Sequence, residues 1–248
     1  MPEKAALRLF NLGNVLYKYC YPIYRPLYFL YKRINDRNKI SELRKYVSPG
    51  MNVLDIGSNI GYYTILLSQL VGKHGHVHAF EPDPLNFFHL ANNVSRFNNV
   101  SIYDVAVGDK SNRVNLYISN ERNVDHQTYD SGENRKCISI RCIALDEFLG
   151  PEIEINFIKL DIQGFDLYAV KGAKNIINKQ ESMVIMGELW PYGLSKAGTT
   201  PKDYLGLLTQ MGFQLKFYDD PESAGYFDGK VGEKEYYTSF IGIKKPNR

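Results

Sequence analysis

The sequence predicts an α/β fold in which a mostly parallel sheet is wound with helices and preceded by a basic helical leader. Three observations predict it. From Met51 onward, short β-rich runs alternate with stretches of helical spacing, the rhythm of strands joined by crossover helices. A glycine-bearing turn, Asp55-Ile56-Gly57-Ser58-Asn59-Ile60-Gly61, stands where the first strand should pass into its helix. Charge also divides the chain. Residues 1–48 hold ten Lys/Arg against three Asp/Glu, and residues 49–248 hold twenty against twenty-four. A leader of +7 thus precedes a body of −4, within the chain's net +3.

The elements follow in order. Leu9, Leu12, Leu16 and Tyr19 recur at helical spacing within Ala5 to Tyr19. Tyr21-Pro22-Ile23-Tyr24-Arg25-Pro26 should interrupt that helix, since each proline restricts its predecessor and lacks a donor. A second short helix is expected over Leu27 to Lys39. In the body, strands are expected at Asn52–Ile56, His76–Phe80 and Val100–Val105, with helices at Ile60–Val71 and Pro84–Phe97 between them. Arg113–Ser119 and Lys136–Ile143 alternate like a β-hairpin insertion around a polar loop, Asn120–Arg135. Strands at Asn156–Leu160 and Met183–Glu188 follow, then a helix at Pro201–Met211 and a strand at Phe213–Tyr218. Gly225–Gly232 reads as a turn-rich loop, and Tyr236–Ile243 as the last strand. The division is therefore a tyrosine-rich extension, residues 1–48, and a main domain, residues 49–248.

Composition bounds the class. Hydrophobic content of 44% with 23% charged residues suits a globular protein with an ample core. Three cysteines, Cys20, Cys137 and Cys142, are odd in number and not spaced as a zinc site, which favours a reducing compartment. No secretory signal is read at the start, so a cytoplasmic protein is expected. Charges and prolines break every window of about 20 residues long enough to span a bilayer. The leader interleaves six tyrosines, Tyr17 to Tyr31, with Lys18, Arg25, Lys32 and Arg33. That pattern suits an interfacial contact with anionic lipid, a lid over a sugar or lipid substrate, or a helical pair packed on the body.

The turn after the first strand selects a ligand. A dinucleotide-binding turn needs glycine at its middle position, where Asn59 stands, and Asp55 would repel a pyrophosphate. The carboxylate suits the cationic amino-acid end of S-adenosylmethionine. Glu81 ends the second strand, where it can accept from both ribose hydroxyls, and Pro82 holds it extended. Asp83 is placed to cap the next helix. The expected cofactor residues are therefore Asp55, Gly57, Ser58, Asn59, Gly61, Glu81 and Pro82. At the third strand end, Ala106 and Val107 are expected against the adenine ring, and Asp104 at its amine.

Four blocks carry a wider resemblance: Leu54 to Gly61, Phe80-Glu81-Pro82, Ala106-Val107-Gly108-Asp109 and Ile158-Lys159-Leu160-Asp161-Ile162-Gln163-Gly164, with Glu188 fitting as well. Over roughly residues 50 to 217 the chain resembles the FkbM family of methyltransferases. The resemblance implies a class I methyltransferase fold, Rossmann-like, of seven strands with the last antiparallel. It also implies S-adenosyl-L-methionine as donor, S-adenosyl-L-homocysteine as product, and usually O-methylation. The acceptors it implies are sugars, glycan or lipid-linked intermediates, and polyketide-type natural products. Where the family usually shows Asp-x-Glu-Gly, this chain has Gln163, which can hydrogen-bond a substrate hydroxyl but cannot act as a base.

Methyl transfer to an alcohol needs alignment and a proton acceptor. Asp161, ending the fourth strand, is the first choice as base, with capping of the helix near Phe165 as its structural alternative. Asp161 also stands among the residues expected at the cofactor. Glu188 could orient substrate or share the base role; otherwise it would pair with Lys159. His126, in the hairpin loop, could reach over the site. Gln163, Trp190 and Tyr192 are the expected substrate contacts, the aromatics stacking on a sugar face. No local spacing enforces a metal. A hydroxyl of a carbohydrate or glycolipid is the expected acceptor. A natural product, another lipid or nucleic acid is the alternative, as is a scaffold that has lost its chemistry. Nucleic acid is disfavoured because no Asn-Pro-Pro-Tyr-type signature is present.

Overall fold

A computed structural model describes residues 13–119, 126–130, 132, 134–150, 152–218 and 227–246. Its centre is a seven-stranded sheet in the order β3-β2-β1-β7-β8-β10-β9. Those strands are β1 (Asn52–Ile56), β2 (His76–Phe80), β3 (Val100–Tyr103), β7 (Phe157–Leu160), β8 (Met183–Leu189), β9 (Phe213–Phe217) and β10 (Thr238–Lys244). Strand β10 runs antiparallel to both its neighbours, β8 and β9, while the other pairs are parallel. This is the sheet the resemblance implies. The order reverses between β1 and β7, and the crevice beyond the carboxyl ends of such strands is where α/β sheets hold ligands.

The central strands are apolar on both faces because helices cover both. Leu54, Ile56, Ile158, Leu160 and Ile185 join one core with α6 (Asp166–Gly172), α7 (Lys174–Lys179) and α9 (Pro201–Gln210). Val53, Val77, Phe157 and Ile241 join the other with α2 (Arg37–Tyr46) and α3 (Tyr62–Val71). Between β2 and β3 runs α4 (Pro84–Val94), begun by Pro84 and capped by Asp83, which accepts from the amides of Leu85 and Asn86.

The expected hairpin forms. Strand β5 (Asn112–Ile118) pairs antiparallel with β6 (Lys136–Ile143), from Asn112↔Cys142 to Ile118↔Lys136. Half of its expected loop lies outside the described residues, as does the first part of the expected Gly225–Gly232 loop. The expected third strand is shorter than read. It ends at Tyr103, and Ala106–Val107 (β4) leaves the main sheet to pair with β6. Backbone hydrogen bonds from a second sheet thus decide its boundary. Short helices α5 (Leu145–Phe148), α6, α7 and α8 (Pro191–Lys196) are too brief for hydrophobic periodicity to reveal.

The leader departs most from expectation. Residues 13–19 are helical, but Tyr21–Asn35 is one helix, α1, rather than a proline-broken segment. Pro22 sits in its first turn, where the missing donor costs nothing. Pro26 lies inside it, on the exposed side with Pro22, so solvent can serve the carbonyl left without a partner. Helix α2 follows and was not expected beyond Lys39. Tyr17 and Tyr24 are buried with Ile60 of the glycine turn, which fastens the leader to the body. Each such burial contributes about 1.5–3 kcal/mol.

Candidate active site

The glycine turn is held entirely by its own neighbourhood. The amides of Gly57 and Ser58 both donate to the Phe80 carbonyl, at 3.0 Å each, and that of Gly61 to Ser58. The Asn59 amide donates to Glu81 Oε2 at 2.7 Å, and the Ile60 amide to the Asn59 side chain at 2.8 Å. Ser58 Oγ donates to the Asp55 carbonyl. Every amide from 57 to 61 is therefore engaged, and none is left to cradle a pyrophosphate. Asn59 takes a left-handed conformation (φ 50°), as do Gly57 (φ 82°) and Gly61 (φ 88°). A Cβ on Gly57 would stand 2.0 Å from the Asp161 carbonyl oxygen, so the turn and the end of β7 touch through backbone.

Asp55, expected at the amino-acid end of the cofactor, lies beneath the turn. It is fully buried; its Oδ2 accepts from Thr64 at 2.6 Å and its Oδ1 lies 3.3 Å from Lys159. Asp55 supports the turn from beneath, because a buried carboxylate needs a cation and a donor more than it can serve a ligand.

Glu81 is the acceptor at the end of β2. Besides Asn59, the Asp83 amide donates to it, through Oε1 at 3.0 Å. Burial pushes its carboxyl up to about 7. Pro82 follows, half-buried. His126 is placed at this end of the crevice: its Nδ1 accepts from the Ser119 amide, and its Nε2 lies 3.9 Å from Asp83. Its contacts thus join it to the Glu81–Asp83 turn rather than to Asp161. At the next strand end, Asp104 is exposed. Ala106 packs with Leu116, Ile140 and Cys142, and Val107 in the main core, so both side chains are occupied by protein rather than presented to a ring.

On the other side of β1, Asp161 follows β7 and is 29% exposed, against none for Asp55. Lys159 Nζ lies 3.9 Å from it and donates to the Gly57 carbonyl at 3.0 Å. Burial raises the Asp161 carboxyl, but Lys159, Lys39 and Lys32 outweigh it and hold the group below the usual range. Gln163 (φ 55°) donates from Nε2 to Asp161 Oδ1 at 3.2 Å. A glutamate in its place would repel Asp161 instead, so the departure has a local use. Asp161 does not cap α6. Instead Asp166 accepts from the Gly164 amide at 3.0 Å, and burial pushes its carboxyl up to about 7, with Asp161 adding to the rise.

Glu188 lies beside Asp161. The parallel register Leu160↔Gly187 sets the following residues next to each other at adjacent strand ends. Its partner is not Lys159 but Lys39 of the leader, whose Nζ donates to Oε1 at 2.9 Å. A second leader contact closes the same side. Tyr63 donates to Asp36 at 2.5 Å, and Lys32 pairs with Asp36. Sequence reasoning missed Lys39, Lys159, Asp36 and Tyr63 as site residues. Lys159 carried a signal, a lysine at an inward position of an apolar strand, which must find an anion. Lys39 carried none, because its partner lies 149 positions away.

Trp190 and Tyr192 are half-buried, with ring centroids 5.6 Å apart. The Trp190 indole donates to the Lys234 carbonyl, and its ring covers Gly193. Gly193 in turn packs on Gly164, so the pair braces the Asp161 loop from outside. Among the described residues no group of three or more His, Cys, Asp or Glu is placed to hold a metal ion.

Residues 55–215, well over half of the chain, match the model of the methyltransferase FkbM domain. No curated protein matches the sequence significantly. Among solved structures, the chain is similar to a Streptococcus mutans protein described as a methyltransferase and crystallised with SAH. The two are 10% identical with a TM-score of 0.50, covering 84% of this chain and 96% of that one. A Klebsiella pneumoniae protein described as an O-methyltransferase is similar at 10% identity and a TM-score of 0.50, over 86% and 80% of the two chains. At such identities the likeness shows a shared fold.

Proposed function

The chain belongs to the FkbM methyltransferase family, and from that premise we propose that it methylates a hydroxyl, on a carbohydrate or glycolipid, with S-adenosyl-L-methionine as donor. One observation carries the reading: two carboxylates, Asp161 and Glu188, stand at adjacent strand ends beside the glycine turn, each matched to a lysine. The donor, when bound, supplies a methyl group activated by its sulfonium.

The residues fit that donor. A Glu81 carboxylate contacted by the Asn59 and Asp83 amides and by the Asn86 side chain keeps an acceptor position for a ribose hydroxyl. A turn whose amides are all engaged suits a cofactor without phosphate. Gly57, Ser58, Asn59, Gly61 and Pro82 shape the cleft, Asp55 supports it, and Asp104 is the exposed polar group for the base. Asp161 and Glu188 face the acceptor, with Gln163, Trp190 and Tyr192 at its rim. Aligning a hydroxyl and taking its proton are the tasks left to these side chains, and the second is worth about 10²–10⁴-fold.

Residues 49–248 form the transfer domain and residues 1–48 an extension, whose described part, from residue 13, packs against it. Among the described residues no helix is long and apolar enough to cross a membrane. Peripheral attachment is the reading the leader supports. Ile23, Leu27, Leu30, Tyr31 and Ile34 line one side of α1, each more than half exposed, with Arg33 and Arg37 exposed beside them. Asp36 is the sole acidic residue between 13 and 41, and it turns inward to Tyr63. An apolar stripe whose neighbouring exposed charges are cationic complements an anionic lipid surface. Vesicles containing phosphatidylglycerol should carry the full chain down on sedimentation, and Leu27→Glu/Leu30→Glu should release it. Failure of the wild type to sediment overturns the attachment; dimerisation by sedimentation velocity would assign the stripe to a second copy.

Labelled methyl transfer from S-adenosylmethionine into pooled glycan and lipid extracts tests the acceptor. Label in glycan or glycolipid hydroxyls supports the reading. Label only in nucleic acid or in other small molecules would refute the acceptor class. SAH binding without any transfer would point to a scaffold.

A further inference from the structure

Among the described leader cations, Lys39 is the one hydrogen-bonded to a strand-end carboxylate of the crevice. Its ammonium donates to Glu188 at 2.9 Å, and both side chains are about four-fifths covered, at 20% and 18% exposure. A fully exposed ion pair on the surface of a domain would be expendable. This one stands at the carboxyl end of β8, beside Asp161, where the fold places its chemistry. We propose that Lys39 is a positioning residue for methyl transfer: it fixes the Glu188 carboxylate as the acceptor of the substrate hydroxyl's proton. The leader is thereby part of the acceptor site. The inference rests on the hydroxyl-methylation reading and on the acceptor lying at Asp161 and Glu188.

The division of labour follows from the neighbours. Asp161 is held ionised by Lys159 and by the donated hydrogen bond of Gln163, which makes it a poor proton acceptor and a good anchor for a hydroxyl. Glu188 is faced by Lys39 from α2, Lys32 from α1, Asp161 after β7, Asp166 of α6 and Tyr237 before β10. Tyr218, after β9, faces Lys39. Burial and Asp161 push the Glu188 carboxyl up, and Lys39 opposes them. A carboxylate with a raised affinity for protons is the better general base, provided it is still ionised at the working pH. Lys39 supplies that condition. In the transfer step the hydroxyl oxygen forms a bond to the methyl carbon, and the methyl–sulfur bond breaks with its electron pair left on sulfur. The hydroxyl proton goes to Glu188, which then returns it to solvent.

The sign is defined. Without Lys39, Glu188 should protonate at higher pH, by about 1–3 units for loss of an opposite charge at this range. The measurement is a ¹³C NMR titration of carboxyl-labelled glutamate in the full chain bound to SAH, with Glu188→Gln assigning the signal. Lys39→Met should raise the Glu188 midpoint by at least one unit, and Lys39→Arg should restore most of it. In labelled transfer to glycan and lipid extracts, Lys39→Met should lose about tenfold or more at neutral pH and recover as pH rises. An unmoved Glu188 midpoint in Lys39→Met, with SAH affinity unchanged, overturns the proposal. So does full activity in Glu188→Gln when Asp161→Asn is inactive. Full activity in both carboxylate variants would instead mean that the acceptor lies elsewhere, and the underlying reading would fall first.

Discussion

Binding of SAH should tighten as pH rises from 6 to 8, because Glu81 is a full acceptor for the ribose only when ionised. Its carboxyl is buried and pushed up to about 7. At pH 6 about a tenth of it is ionised and at pH 8 about nine tenths, so the affinity should differ by roughly tenfold, or about 1.4 kcal/mol. Proton release follows from the same linkage: close to pH 7, binding should free roughly half a proton. The sign is fixed because ribose donors favour the charged form and lower the carboxyl's affinity for protons. Isothermal titration at the three pH values, in buffers of different ionisation enthalpy, measures both quantities. Glu81→Gln provides the control, since Asp166 titrates in the same window. That variant should bind SAH weakly and with a flat pH profile. Wild-type affinity that stays constant from pH 6 to 8, or an equal slope in Glu81→Gln, refutes the reasoning.

Three further outcomes follow from the site's construction. Asp166 has a native pKa of about 7, so between its unfolded value and pH 7 the native state holds the extra proton and stability falls as pH rises. Asp166→Asn, which keeps the acceptor for Gly164, should therefore be more stable than wild type at pH 8 by about 2–4 kcal/mol in denaturant melts, and no more stable at pH 4. Lys159→Met should cost about 3–5 kcal/mol in the same melts by leaving Asp55 buried without its cation, and a loss under about 1 kcal/mol would refute the pairing as a support of the fold. Gly57→Ala should abolish SAH binding or destabilise the fold by more than about 2 kcal/mol, since its Cβ would meet the Asp161 carbonyl; near-normal binding and melting would show that the two loops can part.

The amino-acid order by itself determined the sheet's parallel half and the glycine turn, because both are local. Strand β1, the turn Asp55–Gly61 and the Glu81–Asp83 cap lie within some thirty consecutive residues, where periodicity, glycine and capping chemistry act at short range. Asp161 and Glu188 were legible as strand-end acids for the same reason. Tertiary structure decided which partner each acid takes. Asp55 is turned inward by Thr64 and Lys159, Glu188 is claimed by Lys39 rather than Lys159, and His126 is drawn to Asp83. These pairings depend on which charges share a low-dielectric space after folding, and sequence separation says nothing about that. The leader shows the same division. Its charge and tyrosines were evident from composition, but the prolines misled because their cost depends on place: Pro22 falls in the first turn, and the carbonyl orphaned by Pro26 meets solvent. Packing of Tyr17 and Tyr24 onto Ile60 is what fastened a basic extension to the body.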